Sequence, residues 1–115
     1  MEVWLKSKEN SNYEINNYGE VRNRKTKRIL KQETTYRGYK RVRFTINDDG
    51  RHKYVHRLVA DTFFDGDHEG LDVNHIDGNK SNNFIGNLEW VTRSENIKHA
   101  FKTGLKKPRG KAKIR

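Results

Sequence analysis

The 115-residue chain has no cysteine, and its longest apolar runs are only a few residues. The absence of cysteine excludes disulfides, thiolate zinc sites and cysteine nucleophiles, so any bound metal must use oxygen or nitrogen ligands. The chain also lacks a long apolar stretch and the basic-then-apolar layout of a signal peptide. We therefore expect no membrane span and an intracellular protein.

Positive charge is abundant and unevenly distributed. Twenty-five Lys and Arg against 15 Asp and Glu give a net charge of +10. Residues 22–43 hold ten basic residues and one acidic residue, residues 57–90 are acidic overall, and residues 91–115 are strongly basic. Clustered charge of one sign on a small protein favours a polyanionic partner.

The periodicity predicts short strands, two helices and few core residues. Strands are predicted at 13–15, 20–22, 29–30, 39–46, 53–56, 73–76 and 88–91. In the 39–46 strand, Val42 and Phe44 share one face while Arg41 and Arg43 share the other, so one face can pack and the other can meet phosphate. Helices are predicted at 57–64 and from Thr92, which opens a capping box.

The most informative segment is a polar strand–loop–strand–helix. It consists of Asn74-His75-Ile76-Asp77-Gly78-Asn79-Lys80-Ser81-Asn82-Asn83, then Asn87-Leu88-Glu89-Trp90-Val91-Thr92, and then Glu95, Asn96 and His99. In this order the residues resemble the HNH endonucleases, and in particular the phage and intron-encoded HNH homing endonucleases. Upstream, Trp4 and the 13–21 and 27–31 segments resemble the small DNA-binding module that often precedes such nucleases, and 55–60 resembles the junction.

The resemblance covers roughly residues 2–104 and implies an α+β fold. It implies a β-rich DNA-binding module at 1–54, followed at 55–104 by a ββα-metal (His-Me finger) nuclease module. The remaining residues, 105–115, form a basic tail whose composition predicts disorder in the free chain.

The resemblance also implies roles for individual residues. His75 is the expected general base, Asn87 braces the loop, and Asn74 and Asn96 hold one Mg²⁺ or Mn²⁺ ion through their amide oxygens. Asp77 and His99 are further candidates, the first as a supporting group and the second as a third ligand or phosphate contact. Neutral Asn ligands predict weak Mg²⁺ binding before DNA arrives.

Adjacent residues on a regular strand face opposite ways. The sequence therefore predicts that Asn74 and His75 share a site only where the backbone twists or leaves strand geometry.

The other polar and aromatic residues of this region have simpler interpretations. We expect His56 to be buried in a structural role rather than in contact with DNA. Asn79, Asn82 and Asn83 are interpreted as loop-building residues, and Phe84, Leu88 and Trp90 as core residues.

The resemblance implies a metal-dependent endonuclease acting on double-stranded DNA, encoded by a phage or mobile element and active in the cytoplasm of a bacterial host. A monomer, or one subunit of a weak dimer, has one site and would nick one strand, leaving 5′-phosphate and 3′-hydroxyl ends. Candidate phosphate contacts are Arg22, Arg24, Lys25, Lys27, Arg28, Arg41, Arg43, Lys106, Lys107 and Arg109. Two alternatives remain: DNA binding without catalysis, favoured by the Asn at position 74, and RNA binding or cleavage.

Overall fold

The computed structural model describes residues 1–46, 49–66 and 68–102. The elements form three small antiparallel sheets and two helices. The first sheet contains β1 (Trp4–Lys6), β2 (Tyr13–Asn16) and β3 (Val21–Asn23). The second contains β4 (Glu33–Thr34), β5 (Lys40–Ile46) and β6 (Asp49–Tyr54). Helix α1 (Val55–Phe63) leads to β7 (Asp72–His75) and β8 (Leu88–Val91), and α2 (Arg93–Lys102) follows.

The predicted alternation along β5 is confirmed. Val42 and Phe44 are buried, while Arg43 and Thr45 on the opposite face are exposed. The ring of Phe44 stacks on that of Tyr13 from the first sheet, with centroids 4.1 Å apart. One face of the second sheet therefore packs against the first sheet, and the opposite face carries Arg41 and Arg43 of β5.

Helix α1 joins all the sheets into a single core. Leu58, Val59 and Ala60 are buried and pack with apolar residues from both sides of the predicted 54/55 module boundary. The predicted end of the 53–56 strand is wrong, because β6 stops at Tyr54. The helix begins at Val55, two residues before its predicted start. Buried Val55, Leu58, Val59 and Thr62 follow helical spacing, and their burial outweighs the local strand pattern.

The 88–91 strand and the capping box at the start of α2 are confirmed. The Thr92 N–H donates to Oε1 of Glu95 at 2.9 Å, and the Glu95 N–H donates to Oγ1 of Thr92 at 3.2 Å. None of the helices in the described ranges is long and apolar enough to cross a bilayer. The predicted disordered tail at 105–115 lies outside the described residues.

Replacing Thr92 with alanine is expected to lower the free energy of unfolding by about 1 kcal/mol, because the Glu95 N–H at the start of α2 loses Oγ1 of Thr92 as its acceptor. Urea unfolding followed by circular dichroism measures the change. Ser94→Ala is the matched control, since Ser94 is an exposed residue of the same helix and alanine is a good helix former. Equal destabilisation by the two variants would contradict a capping role.

Candidate active site

His75 occupies the last position of β7 and is buried, with a relative exposure of 5%. Its Nε2 lies 2.7 Å from Oδ1 of Asn83. An amide oxygen only accepts hydrogen bonds, so Nε2 carries the proton in this pair and Nδ1 keeps the lone pair of the neutral ring. The arrangement leaves one ring nitrogen as a base.

The surroundings of His75 keep its ring neutral. Burial lowers the pKa of His75, and the hydrogen bond to Asn83 together with the negative charge of Asp77 acts in the opposite direction. The net shift is downward, so the imidazole is unprotonated at neutral pH. An unprotonated imidazole is the form that can take a proton from water.

Two rings from other elements lie against His75. The centroid of His56, on α1, is 5.1 Å from that of His75, and Tyr39 stacks on His56 at 5.1 Å. His56 is buried as predicted, with a relative exposure of 7%. Burial, with the charges of His75 and Arg57 as smaller causes, lowers the pKa of His56 to about 3. The His56 ring beside His75 is therefore uncharged at neutral pH.

The asparagine-rich loop, residues 76–87, is held by Asn87. The Asn87 side chain accepts from the Asp77 N–H at 3.0 Å and donates to Oδ1 of Asp77 and to the Asn82 carbonyl, each at 2.9 Å. These three bonds join the two ends of the loop beside His75. Hydrogen bonds from Asn82, Asn79 and Asn87 lower the pKa of Asp77, which remains a carboxylate at neutral pH.

The loop asparagines do not all have the role predicted for them. Asn79 accepts from the Ser81 N–H and Asn82 donates to Asp77, so both build the loop as expected. Asn83 differs, because it is buried and its side chain contacts the candidate base. Nothing in the sequence separates Asn83 from its neighbours, since the path of the loop decides which asparagine reaches the ring.

Leu88 and Trp90 pack in or against the core as predicted. The prediction that Phe84 is a core residue is wrong. Its side chain is 40% exposed and stacks on Tyr18, with ring centroids 5.5 Å apart. The loop presents Phe84 to the turn between β2 and β3 and not to the interior.

Asn74 and His75 remain within regular strand geometry. Asn74 pairs with Glu89 and His75 with Leu88 across the β7–β8 ladder, and the chain turns only at Ile76. Their side chains therefore leave opposite faces of β7, although their Cα atoms are about 3.8 Å apart. The expected departure from strand geometry does not occur at this pair, so the two side chains could serve one phosphate only around the end of β7, where His75 is the last residue.

The donor chemistry at Asn74 suits a hard divalent cation. Its Nδ2 donates to Oε1 of Glu89 at 2.9 Å, and a carboxylate accepts only, so the amide oxygen is directed away from Glu89. Helix α2, which carries Asn96, packs against β7. Two neutral amide oxygens on adjacent elements fit Mg²⁺ or Mn²⁺ when other oxygen ligands complete the shell.

Within the described ranges, no group of three or more His, Asp or Glu residues forms a metal site. The side chain of His99 lies outside the described residues.

The basic candidates that lie within the described residues fall into two groups. Arg22, Arg24, Lys27 and Arg41 contact other groups of the protein: Arg22 and Lys27 pair with Glu14, Arg24 donates to the Ser11 carbonyl, and Arg41 pairs with Glu33. Lys25, Arg28 and Arg43 are exposed. The remaining candidates, Lys106, Lys107 and Arg109, lie outside the described residues.

Comparisons with known proteins match this arrangement. Residues 53–98 match the HNH endonuclease family and residues 2–45 match the NUMOD4 motif. The chain is 41% identical over 92 residues to DNA endonuclease I-HmuI of Bacillus phage SP01, a match covering 80% of this chain and 53% of that protein. It is 43% identical over 96 residues to the uncharacterized HNH endonuclease L245 of Acanthamoeba polyphaga mimivirus, covering 84% of this chain and 29% of that protein.

A solved structure that describes DNA binding and cleavage by the HNH homing endonuclease I-HmuI superposes with a TM-score of 0.80 at 39% identity. The match covers 89% of this chain and 59% of that one. The chain therefore spans about half the length of I-HmuI and less than a third of the mimivirus relative. Over residues 2–98 the chain is therefore similar, in sequence and in fold, to proteins in which a NUMOD4 motif precedes an HNH endonuclease domain.

Proposed function

We propose that this chain is a metal-dependent DNA endonuclease of the HNH homing type. The observation that carries the proposal is the state of His75, a buried neutral imidazole whose Nε2 is held by Asn83 and whose Nδ1 keeps its lone pair. The resemblance assigns the general base to this residue. The proposed modules are a DNA-binding unit at 1–54 and a nuclease unit at 55–104.

In the proposed reaction, Nδ1 of His75 takes a proton from a water molecule whose oxygen attacks phosphorus. The bond from water oxygen to phosphorus forms while the bond from phosphorus to the 3′ oxygen breaks. The products are a 5′-phosphate and a 3′-hydroxyl, the latter taking its proton from solvent. Asn83 and the three loop bonds of Asn87 keep the ring oriented.

Asn74 and Asn96 would hold a single Mg²⁺ or Mn²⁺ ion, with oxygen atoms of the substrate phosphate completing its ligands. When bound, the ion supplies neutralisation of phosphate charge and stabilisation of the departing oxygen. Both protein ligands are neutral, so the substrate phosphate supplies the negatively charged ligand atoms, while the Glu89 carboxylate contacts Asn74 and not the ion. The ion is expected to bind more tightly to the DNA complex than to the free protein.

The proposed DNA surface is the basic face of the first module. Exposed Lys25, Arg28 and Arg43 supply phosphate contacts, and Tyr36, which is 93% exposed, adds an aromatic surface beside Arg37. Each monomer carries one site, which supports nicking of a single strand. The Bacillus phage relative favours action in a bacterial host cell.

The proposal is tested with a pool of supercoiled plasmids that carry a random insert, so that the substrate includes many sequences. In Mg²⁺ or Mn²⁺ we expect open-circular DNA to accumulate before any linear DNA, and in EDTA we expect no change. End-labelling of the nicked strand should show a 5′-phosphate.

Binding measured on the same pool separates the alternatives. Retarded plasmid that stays supercoiled in both metals would overturn the endonuclease proposal in favour of DNA binding without catalysis. Competition with duplex RNA is a further check. A site that fits B-form DNA should be inhibited much less by RNA than by DNA.

A further inference from the structure

The first sheet touches the asparagine-rich loop directly. The turn between β2 and β3, residues 17–20, lies against residues 83–85: the Ile85 N–H donates to the Asn17 carbonyl at 2.8 Å, and Tyr18 stacks on Phe84. Gln32 holds the turn from its other side by donating to the Gly19 carbonyl at 2.7 Å. These contacts link the NUMOD4 segment to the segment that holds His75.

Gly19 lies directly beside Asn83. It has a φ of +93°, and a Cβ placed on it would lie 2.8 Å from the Cβ of Asn83 and 3.2 Å from the Asn83 carbonyl oxygen. The backbone of the turn therefore fills the space behind Asn83. Asn83 is buried, and on its other side its Oδ1 meets Nε2 of His75.

A second contact holds the middle of the loop. Lys80 donates from Nζ to the Arg37 carbonyl at 2.9 Å, and its ammonium lies 4.8 Å from the centre of the Tyr39 ring. Tyr39 also stacks on His56, the ring beside His75. The N-terminal part of the chain thus contacts the loop at two places, residues 83–85 and Lys80.

We infer that the 17–20 turn is a positioning element of the nuclease site: Gly19 backs Asn83, and Asn83 in turn orients the His75 ring. The catalytic consequence rests on the proposed nuclease function, but the structural link does not. The β-rich module then does more than bind DNA, because the geometry of the base depends on it.

The test compares two glycines that share a backbone conformation. Gly19 and Gly70 both have positive φ, at +93° and +79°, so alanine strains each backbone in a similar way. Nothing lies within 4 Å of a Cβ at Gly70, whereas a Cβ at Gly19 displaces Asn83. For Gly19→Ala we expect the single-turnover nicking rate at saturating protein to fall roughly 10- to 100-fold, with DNA affinity within about threefold of wild type. Gly70→Ala should leave both unchanged.

A double variant shows whether the effect passes through Asn83. Asn83→Ala alone should slow nicking by a similar factor, and adding Gly19→Ala to it should slow nicking little further. The inference would be overturned if the double variant slowed nicking by the product of the two separate factors. It would also be overturned if Gly19→Ala weakened only DNA affinity, or if Gly19→Ala nicked at the wild-type rate. If Gly19→Ala does not fold, Tyr18→Ala replaces it, since Tyr18 is half exposed; unchanged nicking by that variant would also overturn the inference.

Nitrogen-15 spectra of the histidine rings in free protein separate this inference from the proposed function. Gly19→Ala should move the His75 resonances toward those of Asn83→Ala and leave the exposed His52 unchanged. If wild type never nicks DNA but the resonances move, the function fails and the positioning role stands. If wild type nicks and the His75 resonances do not move, the positioning role fails alone.

Discussion

Replacing His75 with alanine is expected to reduce DNA nicking by about 10²- to 10⁴-fold, because the reaction loses its general base. DNA affinity should stay within about threefold of wild type, since the exposed basic residues lie elsewhere on the chain. Gel retardation and single-turnover nicking of the same substrate measure the two quantities. Added imidazole should restore part of the rate by entering the space left by the ring.

His52→Ala is the matched control for this substitution. His52 is an exposed histidine on β6 that faces Glu33, 3.4 Å away, and it does not belong to the cluster around His75. It should nick at the wild-type rate. Nicking by His75→Ala within about threefold of wild type would remove His75 as the base and favour the non-catalytic alternative.

Acidification is expected to destabilise the protein through His56. Because burial lowers the pKa of His56 from 6.5 to about 3, the unfolded chain binds a proton below pH 6.5 that the folded chain does not bind. The stability is therefore full above pH 6.5 and falls as the pH drops toward 3. Between pH 7 and pH 5 this group alone lowers the free energy of unfolding by about 2 kcal/mol. The lowered pKa of His75 acts in the same direction.

His56→Phe isolates this contribution. Phenylalanine keeps a ring against Tyr39, and it removes Nδ1 of His56, which is buried with no hydrogen-bond partner in the described structure. Urea unfolding at pH 7 and pH 5 should show a fall for the variant that is about 2 kcal/mol smaller than for wild type. An equal fall in both proteins would show that His56 is not the acid-sensitive group.

Patterns that repeat along the chain could be predicted because they reflect local physics. Alternation identified the buried face of β5, and the Thr92–Glu95 spacing identified the start of α2. The start of α1 could not be predicted, because the 53–56 segment also suits a strand. Helix α1 packs against all three sheets and buries Val55 and His56. This tertiary burial favours a helix over a strand at these two residues.

The candidate site likewise has one part that the sequence predicts and another that only the folded structure determines. The order of Asn74, His75, Asn87 and Asn96 was sufficient to suggest a resemblance to the HNH endonucleases, and the matches at 53–98 and 2–45 agree with that resemblance. The partner of His75 was not predictable. Asn79, Asn82, Asn83 and Asn87 are the same residue type within nine positions of one loop, and only the folded path brings Oδ1 of Asn83 to the ring.

The sequence by itself determined the basic character of the chain, the absence of cysteine, the alternation along β5 and the capping box of α2, and its resemblance suggested His75 as the candidate base. The tertiary structure decided which groups surround that base: Asn83 on its Nε2, His56 and Tyr39 along its ring, and Gly19 behind Asn83. These contacts join segments far apart in the chain. Burial of a shared apolar core brings such segments together, and that burial leaves no local pattern in the residues it places side by side.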